Sequence, residues 1–181
     1  MKKVKPFDTI EEPEEVVIFD EVDELEALED VDSPSSEDNL VDQKIYLIFL
    51  SGDNTYAVEA QSVKEILHRT EVFPLPFLPA FVSGLINYNG SPYTAIDLEE
   101  LLNNKSQISD IFLILNTDNN SCLKVDDVFQ FERGIVREIN SDSPLAKNEY
   151  LKAVVQTKQR TAFLLDVSKI EESVKNRLKG F

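Results

Sequence analysis

The chain repeats itself. Ile111-Phe112-Leu113-Ile114-Leu115 echoes Ile45-Tyr46-Leu47-Ile48-Phe49 at an offset of 66 residues. Asp118-Asn119-Asn120 echoes Asp53-Asn54-Thr55, and Val128 in Asp127-Val128-Phe129 echoes Val63 in Ser62-Val63-Lys64, both at 65. Ala95-Ile96-Asp97-Leu98 with Leu101 matches Leu164-Leu165-Asp166-Val167 with Ile170 at 69. One such match carries little weight, but an ordered series marks an internal duplication. Each copy reads as a strand hairpin, a middle section, a second hairpin and an aspartate that caps a short helix. The expected fold is all-β, mainly strand with short helices, built as two small, similar β subdomains packed into one domain.

Local patterns support the strands. Lys44 to Leu50 is apolar on both faces, with Ile45, Leu47 and Phe49 on one and Tyr46, Ile48 and Leu50 on the other, so it should be covered on both sides. Ser51-Gly52-Asp53-Asn54 is turn chemistry, and Thr55 to Glu59 alternates, placing Tyr56 and Val58 on one face. Pro74, Pro76 and Pro79 exclude a central strand and a regular helix, leaving room for a short helical turn from Pro79. Gly84 to Tyr88 reads as a strand, Asn89-Gly90 as a hairpin turn, and Ser91 to Ile96 as the return strand, with Pro92 marking an edge-like end.

Charge divides the chain. Residues 1–40 hold 3 Lys and 15 Asp/Glu, a net of −12. Residues 41–181 hold 15 Lys/Arg and 19 Asp/Glu, a net of −4. Dense like charge keeps a segment open, so residues 1–40 are expected to be an acidic, largely disordered tail. Within it, Ile18, Val22, Leu25 and Leu28 share one face at helical spacing, between about residues 14 and 32. Two readings stand side by side, a solvated segment with transient helix and a docking helix for a partner's groove. Ser33-Pro34-Ser35-Ser36 reads as a linker, and residues 41–181 as the folded domain with a short C-terminal helix. The total of −16 argues against nucleic acid and against direct binding to an anionic membrane. The longest apolar run, Ile45 to Leu50, is far short of a membrane span. Acidic residues and Pro13, rather than an apolar signal core, follow Met1-Lys2-Lys3. With the single cysteine Cys122 these features fit a cytoplasmic protein.

Catalytic parts are scarce. His68 is the only histidine and reads as a surface residue beside Arg69; Cys122 reads as a small apolar strand residue. One of each cannot build a His/Cys metal cluster. The glycines, Gly52, Gly84, Gly90, Gly134 and Gly180, form neither a phosphate loop nor a dinucleotide fingerprint, and no Gly-x-Ser-x-Gly elbow occurs. A carboxylate pair such as Asp97 with Asp126 has the residue types of a glycosidase, but Asp97 already serves as a helix cap, and the chain has no tryptophan to line a sugar cleft. No catalytic, cofactor or metal site is expected.

The stretch from Tyr46 to Leu102 resembles the first half of CheW-like domains. The resemblance runs through Phe49, Gly52-Asp53, Tyr56-Ala57-Val58, Val63-x-Glu65-Ile66, Pro74 to Pro79, Phe81-Val82-x-Gly84, Asn87-x-x-Gly90 and Ile96-Asp97-Leu98. Ile111 to Leu115, Val125-Asp126-Asp127-Val128, Tyr150-Leu151 and Leu164-Leu165-Asp166-Val167 resemble the second half, so about residues 44–172 are covered. The resemblance implies two SH3-like β-barrel subdomains and a non-enzymatic adaptor. Implied partners are the regulatory domain of a CheA-type histidine kinase and the cytoplasmic hairpin tip of chemoreceptors. The adaptor would be a monomer that joins hetero-assemblies, placed at membrane-associated arrays through its partners. Carried over by position, the protein-binding residues are Val63, Glu65 and Ile66 on one surface and Val82, Gly84, Asn87, Asn89 and Gly90 on another. Spacing favours the core for Ile66 and leaves Val63 open. Two departures matter. Asn89 stands where the family has an arginine, so contacts that need that cation should be weakened. Lys152 follows Tyr150-Leu151 where a glycine is usual. Asn89 and the tail's apolar stripe motivate an alternative, a scaffold of another motility or localisation pathway that recruits a partner through the tail.

Overall fold

Residues Tyr46 to Phe49 are buried in succession in the first strand, β1 (Lys44–Ser51), as a run apolar on both faces requires. Leu47 and Phe49 enter a central core, while Tyr46 and Ile48 point the other way into a smaller one. The computed structural model describes residues 44–106, 108–140 and 144–180. The acidic segment over residues 1–40, with Ile18, Val22, Leu25 and Leu28, lies outside the described residues.

After β1 come β2 (Asn54–Glu59), β3 (Val63–His68), β4 (Val72–Phe73), β5 (Val82–Tyr88), β6 (Ser91–Asp97) and helix α1 (Leu98–Asn103). The second copy supplies β7 (Ile111–Leu115), β8 (Ser121–Val125), β9 (Asp127–Arg137), β10 (Leu151–Thr157), β11 (Thr161–Leu165) and helix α2 (Val167–Leu178). Strands β1-β2-β11-β10-β9 close into a barrel. The other sheet has the order β3-β7-β8-β6-β5-β4, and its two end strands are joined through the chain by Arg69 to Glu71. The architecture is mostly β with two short helices, in two barrel-like units.

The duplication is visible in the hydrogen bonding. Phe49 pairs with Val128 and Ile48 with Gln130, with a bulge between; Leu115 pairs with Val63 and Ile114 with Glu65, with a bulge at the matching place. The parallel pairs Phe163–Tyr56 and Leu164–Ala57 match Thr94–Ser121 and Ala95–Cys122. The offsets of 66, 65 and 69 read from the sequence relate every one of these pairs. The sequence halves nevertheless do not fold as separate barrels. Each contributes its first hairpin to the unit built around the other half's later strands, because β2 bonds β11 and β8 bonds β6. The exchange makes the halves interdependent and sandwiches the largest core between the two sheets, with Leu47, Phe49, Leu113, Leu115 and Leu123 all fully buried there.

Both helices start as expected. The Asp97 carboxylate accepts from the Glu100 N–H at 3.1 Å, and Asp166 accepts from the Lys169 N–H at 3.1 Å. Asn89 (φ 51°) and Gly90 (φ 80°) form the left-handed pair of a type I′ turn. Pro92 faces β5 through Asn87, whereas pairing with β8 begins only at Thr94, so that end of β6 has an unbonded side. From Pro79 the chain makes one turn, closed by the Val82 N–H donating to the Pro79 carbonyl at 2.9 Å, and then enters β5.

Candidate protein-docking surface

The bulge in β3 sets the orientation of the first expected contact group. Val63 pairs with Leu115 and Glu65 with Ile114, so Lys64 is the extra residue. Val63 and Ile66 are half-buried and pack against the central core, while Glu65 faces solvent. Val63, left open by the sequence, thus has one side in the core and one outside.

The second group lies on the β5–β6 hairpin. Asn87, Asn89 and Gly90 are exposed at its tip, and the Gly90 N–H donates to Asn87 Oδ1 at 2.9 Å. Val82 and Gly84 sit differently. Val82 is 7% exposed and belongs to the core. Gly84 is buried at φ +143°, and a Cβ there would overlap the Phe73 carbonyl oxygen where β4 crosses. These two residues hold the hairpin in place and do not present side chains to solvent.

The groups meet at one bond. Tyr88 Oη donates to Glu65 Oε2 at 2.7 Å, 23 residues apart in sequence. That bond to Glu65 is the main reason the Tyr88 phenol sits above its ordinary pKa. Tyr88 also packs edge-on against Tyr93, with ring centroids 5.1 Å apart. Glu65, Tyr88 and the Asn87–Gly90 turn therefore form one exposed surface. Tyr88 was not among the residues singled out from the sequence; nothing but the polar tip on its apolar ring marked it there.

The proline-rich connection displays a further apolar group. Phe73 is 50% exposed and Phe77 92%, and Phe77 adopts φ 62°, a conformation that an aromatic residue rarely takes.

No catalytic constellation assembles among the described residues. Asp97 is bound by Lys124 Nζ at 2.9 Å and by its own helix, and Asp126 Oδ2 accepts from the Gly52 N–H at 2.6 Å. His68 is exposed on β3, and Cys122 is fully buried on β8, where burial pushes its thiol up to about 12. No described helix is long and apolar enough to cross a membrane.

Comparison with known proteins agrees with this architecture. The family model described as CheW-like domain matches residues 46–175. Among solved structures, the crystal structure of the scaffolding protein TtCheW from Thermoanaerobacter tengcongensis aligns with a TM-score of 0.62 and 18% identity, covering 70% of this chain and 90% of that one. No curated protein matches the chain. With the family model spanning most of its length, the chain belongs to the CheW-like domain family.

Proposed function

We propose that the chain is a non-enzymatic signalling adaptor that couples chemoreceptors to a CheA-type histidine kinase in chemotaxis. The observation that carries this reading is the Tyr88–Glu65 hydrogen bond, which ties the two expected contact segments into one exposed surface. Family membership supports the scaffolding role, and the named scaffold TtCheW shares the fold. On this surface Glu65 supplies charge, Val63 and Ile66 supply an apolar edge continuous with the core, and the rigid turn at Asn89-Gly90 supplies a fixed rim. Rigid display lowers the ordering cost of binding. The adaptor is a monomer that joins hetero-assemblies in the cytoplasm and reaches membrane-associated arrays through its partners.

The test is a ternary assembly. The full chain is mixed with the kinase regulatory domain and a receptor hairpin tip from the same source, and the complexes are separated by size. Co-elution of all three supports coupling; failure of the chain to bind either partner overturns it.

A second reading rests on Asn89. An exposed asparagine in a type I′ turn stabilises the hairpin but lacks the guanidinium fork. A scaffold with weakened receptor contact would bind the kinase alone, and would recruit another protein of a motility or localisation pathway through the Ile18, Val22, Leu25 and Leu28 stripe. Asn89→Arg distinguishes the two. It should raise receptor affinity by about tenfold, roughly the 1.4 kcal/mol of one charge-assisted contact, if the surface is otherwise intact.

A further inference from the structure

One buried carboxylate takes no part in the docking surface. Glu171 on α2 is 8% exposed and lines a cavity of about 360 Å³ between α2, β6 and the β7–β8 hairpin. It accepts from Thr117 Oγ1 at 2.5 Å, from Asn119 Nδ2 at 2.8 Å and from Ser121 Oγ. A carboxylate offers about four lone-pair sites, so roughly one is left over. All three donors are neutral, and Glu171 makes no ion pair among the described residues. A charge buried without a counter-ion is costly. Lys175 and Lys179 line the same cavity, both exposed and likewise without an ion pair among the described residues. Glu171 and Lys175 have the spacing of a helix ion pair but do not form one; the hairpin holds the carboxylate instead. Spacings of four put Glu171, Lys175 and Lys179 along one line of α2, about 12 Å from end to end at helical rise. Val174 and Leu178 run beside that line, and Ile96 on β6 completes an apolar wall.

We propose that this cavity binds a small zwitterion, an α-amino acid with an apolar side chain. Each part of such a ligand answers a part of the wall. Its ammonium takes the remaining site on Glu171 and supplies the missing counter-charge. Its carboxylate meets Lys175, with Lys179 adding to the field, and its side chain lies on Val174, Leu178 and Ile96. The charges exclude simpler ligands. Two lysines repel a plain cation, and the buried carboxylate repels a plain anion. The size of the cavity suits a small molecule rather than a folded element of a partner. Because Glu171 also ties α2 to the β7–β8 hairpin, an occupant should raise the thermal midpoint. The cavity shares no residue with the surface of Glu65 and Tyr88, so the proposal stands whether or not those residues meet a kinase or receptor.

The test is an amide NMR titration of the full chain with L-leucine, L-methionine and L-phenylalanine. At least one should give saturable shifts centred on Asn119, Ser121 and Val174, with a dissociation constant below about 1 mM. The same amino acid as its amide, which lacks the carboxylate, should bind at least tenfold more weakly. So should its N-acetyl derivative, which lacks the ammonium, and so should glycine, which lacks the side chain. Lys175→Gln with Lys179→Gln should lower affinity at least tenfold while leaving the ligand-free thermal midpoint unchanged, since both lysines are exposed. Glu171→Gln should abolish binding; if that variant loses its fold, the lysine pair decides. Saturation by none of the three amino acids overturns the proposal. Equal binding of the amide, the acetyl derivative or glycine, or an affinity indifferent to the lysine pair, overturns it too. Shifts centred on Glu65 and Tyr88 in place of the cavity do the same.

Discussion

The two barrel-like units are built to one plan and closed in two ways. In the first, β9 runs for 11 residues and bonds β1 along its early part and β10 along its late part. Gly134 is the corner, paired with Lys44 on one side and Thr157 on the other. Its backbone lies against Val155, so that a Cβ would overlap that side chain. In the second unit the same path is broken into β3, which bonds β7, and β4, which bonds β5. The break falls at Arg69, the position matching Gly134, where φ is 56°. A glycine at the corner lets one strand turn without losing its ladder, whereas an arginine there leaves the ladder through a left-handed residue. The broken strand then delivers the chain along β5 into the proline-rich connection that follows Phe73. The continuous strand instead presents an unbroken outer face. One duplicated frame thus yields one irregular surface and one regular one.

Variants at matching positions should respond unequally, and the largest difference is expected at the caps. Asp97 is 3% exposed and holds Lys124, itself mostly buried, whereas Asp166 is partly exposed and bonds only its own helix among the contacts seen. Asp97→Ala removes the carboxylate that neutralises the mostly buried Lys124 as well as the cap, and should cost about 3 kcal/mol or more. Asp166→Ala loses a cap alone and should cost about 1 kcal/mol. Urea denaturation of both variants measures the gap; equal losses would mean that the ion pair adds nothing.

Next in size is the pair Gly84 and Ala153, matching bulge positions in β5 and β10. Gly84→Ala meets the Phe73 carbonyl at an unfavourable φ and should cost about 2–3 kcal/mol. Ala153→Gly should cost about 1 kcal/mol, from chain entropy and a lost methyl. Thermal midpoints would order the two, and the reverse order would refute the close crossing at β4.

Glu132 on β9 matches, in the duplication, the position held by Leu67 in β3. Burial alone would push its carboxyl up, but hydrogen bonds from Thr157 and Gln130 and the charge of Arg160, 3.4 Å away, outweigh this and hold it below the usual range. A depressed carboxylate contributes stability above its unfolded pKa and loses it as pH falls through the folded value. Between pH of about 6 and about 3, wild type should therefore lose more stability than Glu132→Gln. Parallel loss in both would contradict the assignment.

The smallest effect is expected at the corner itself. Arg69→Gly relieves the left-handed conformation but loosens the unfolded chain, so it should stabilise by no more than about 1 kcal/mol. A loss of stability would show that the arginine side chain holds the break.

What could be read from the sequence follows from range. The strands, both aspartate caps and the Asn89-Gly90 turn are local, and alternation or residue type is enough to place them. The offsets of the duplication also survive, because matched strands carry matched apolar runs. The exchange of hairpins could not be read, since the parallel pairing of β2 with β11 joins residues more than a hundred apart, and both arrangements bury the same side chains. The length of β9 was hidden by Phe129, Phe131 and Ile135, which are apolar on an exposed face and blur the alternation. Glu171 shows the same limit. A glutamate in a surface helix is ordinarily solvated, but this one is 8% exposed and accepts hydrogen bonds from Thr117, Asn119 and Ser121, pinning α2 to the β7–β8 hairpin. At the candidate docking surface, Glu65, Asn87, Asn89 and Gly90 were named through the resemblance; their junction at Tyr88 needed the fold.

The most direct test of the adaptor reading is calorimetric titration of the full chain with the regulatory domain of the CheA-type kinase from the same source, run alongside Glu65→Lys. The account predicts saturable binding, weakened at least tenfold (about 1.4 kcal/mol) by the substitution with no change in thermal midpoint. Absence of saturable binding, or binding indifferent to Glu65→Lys, would contradict it.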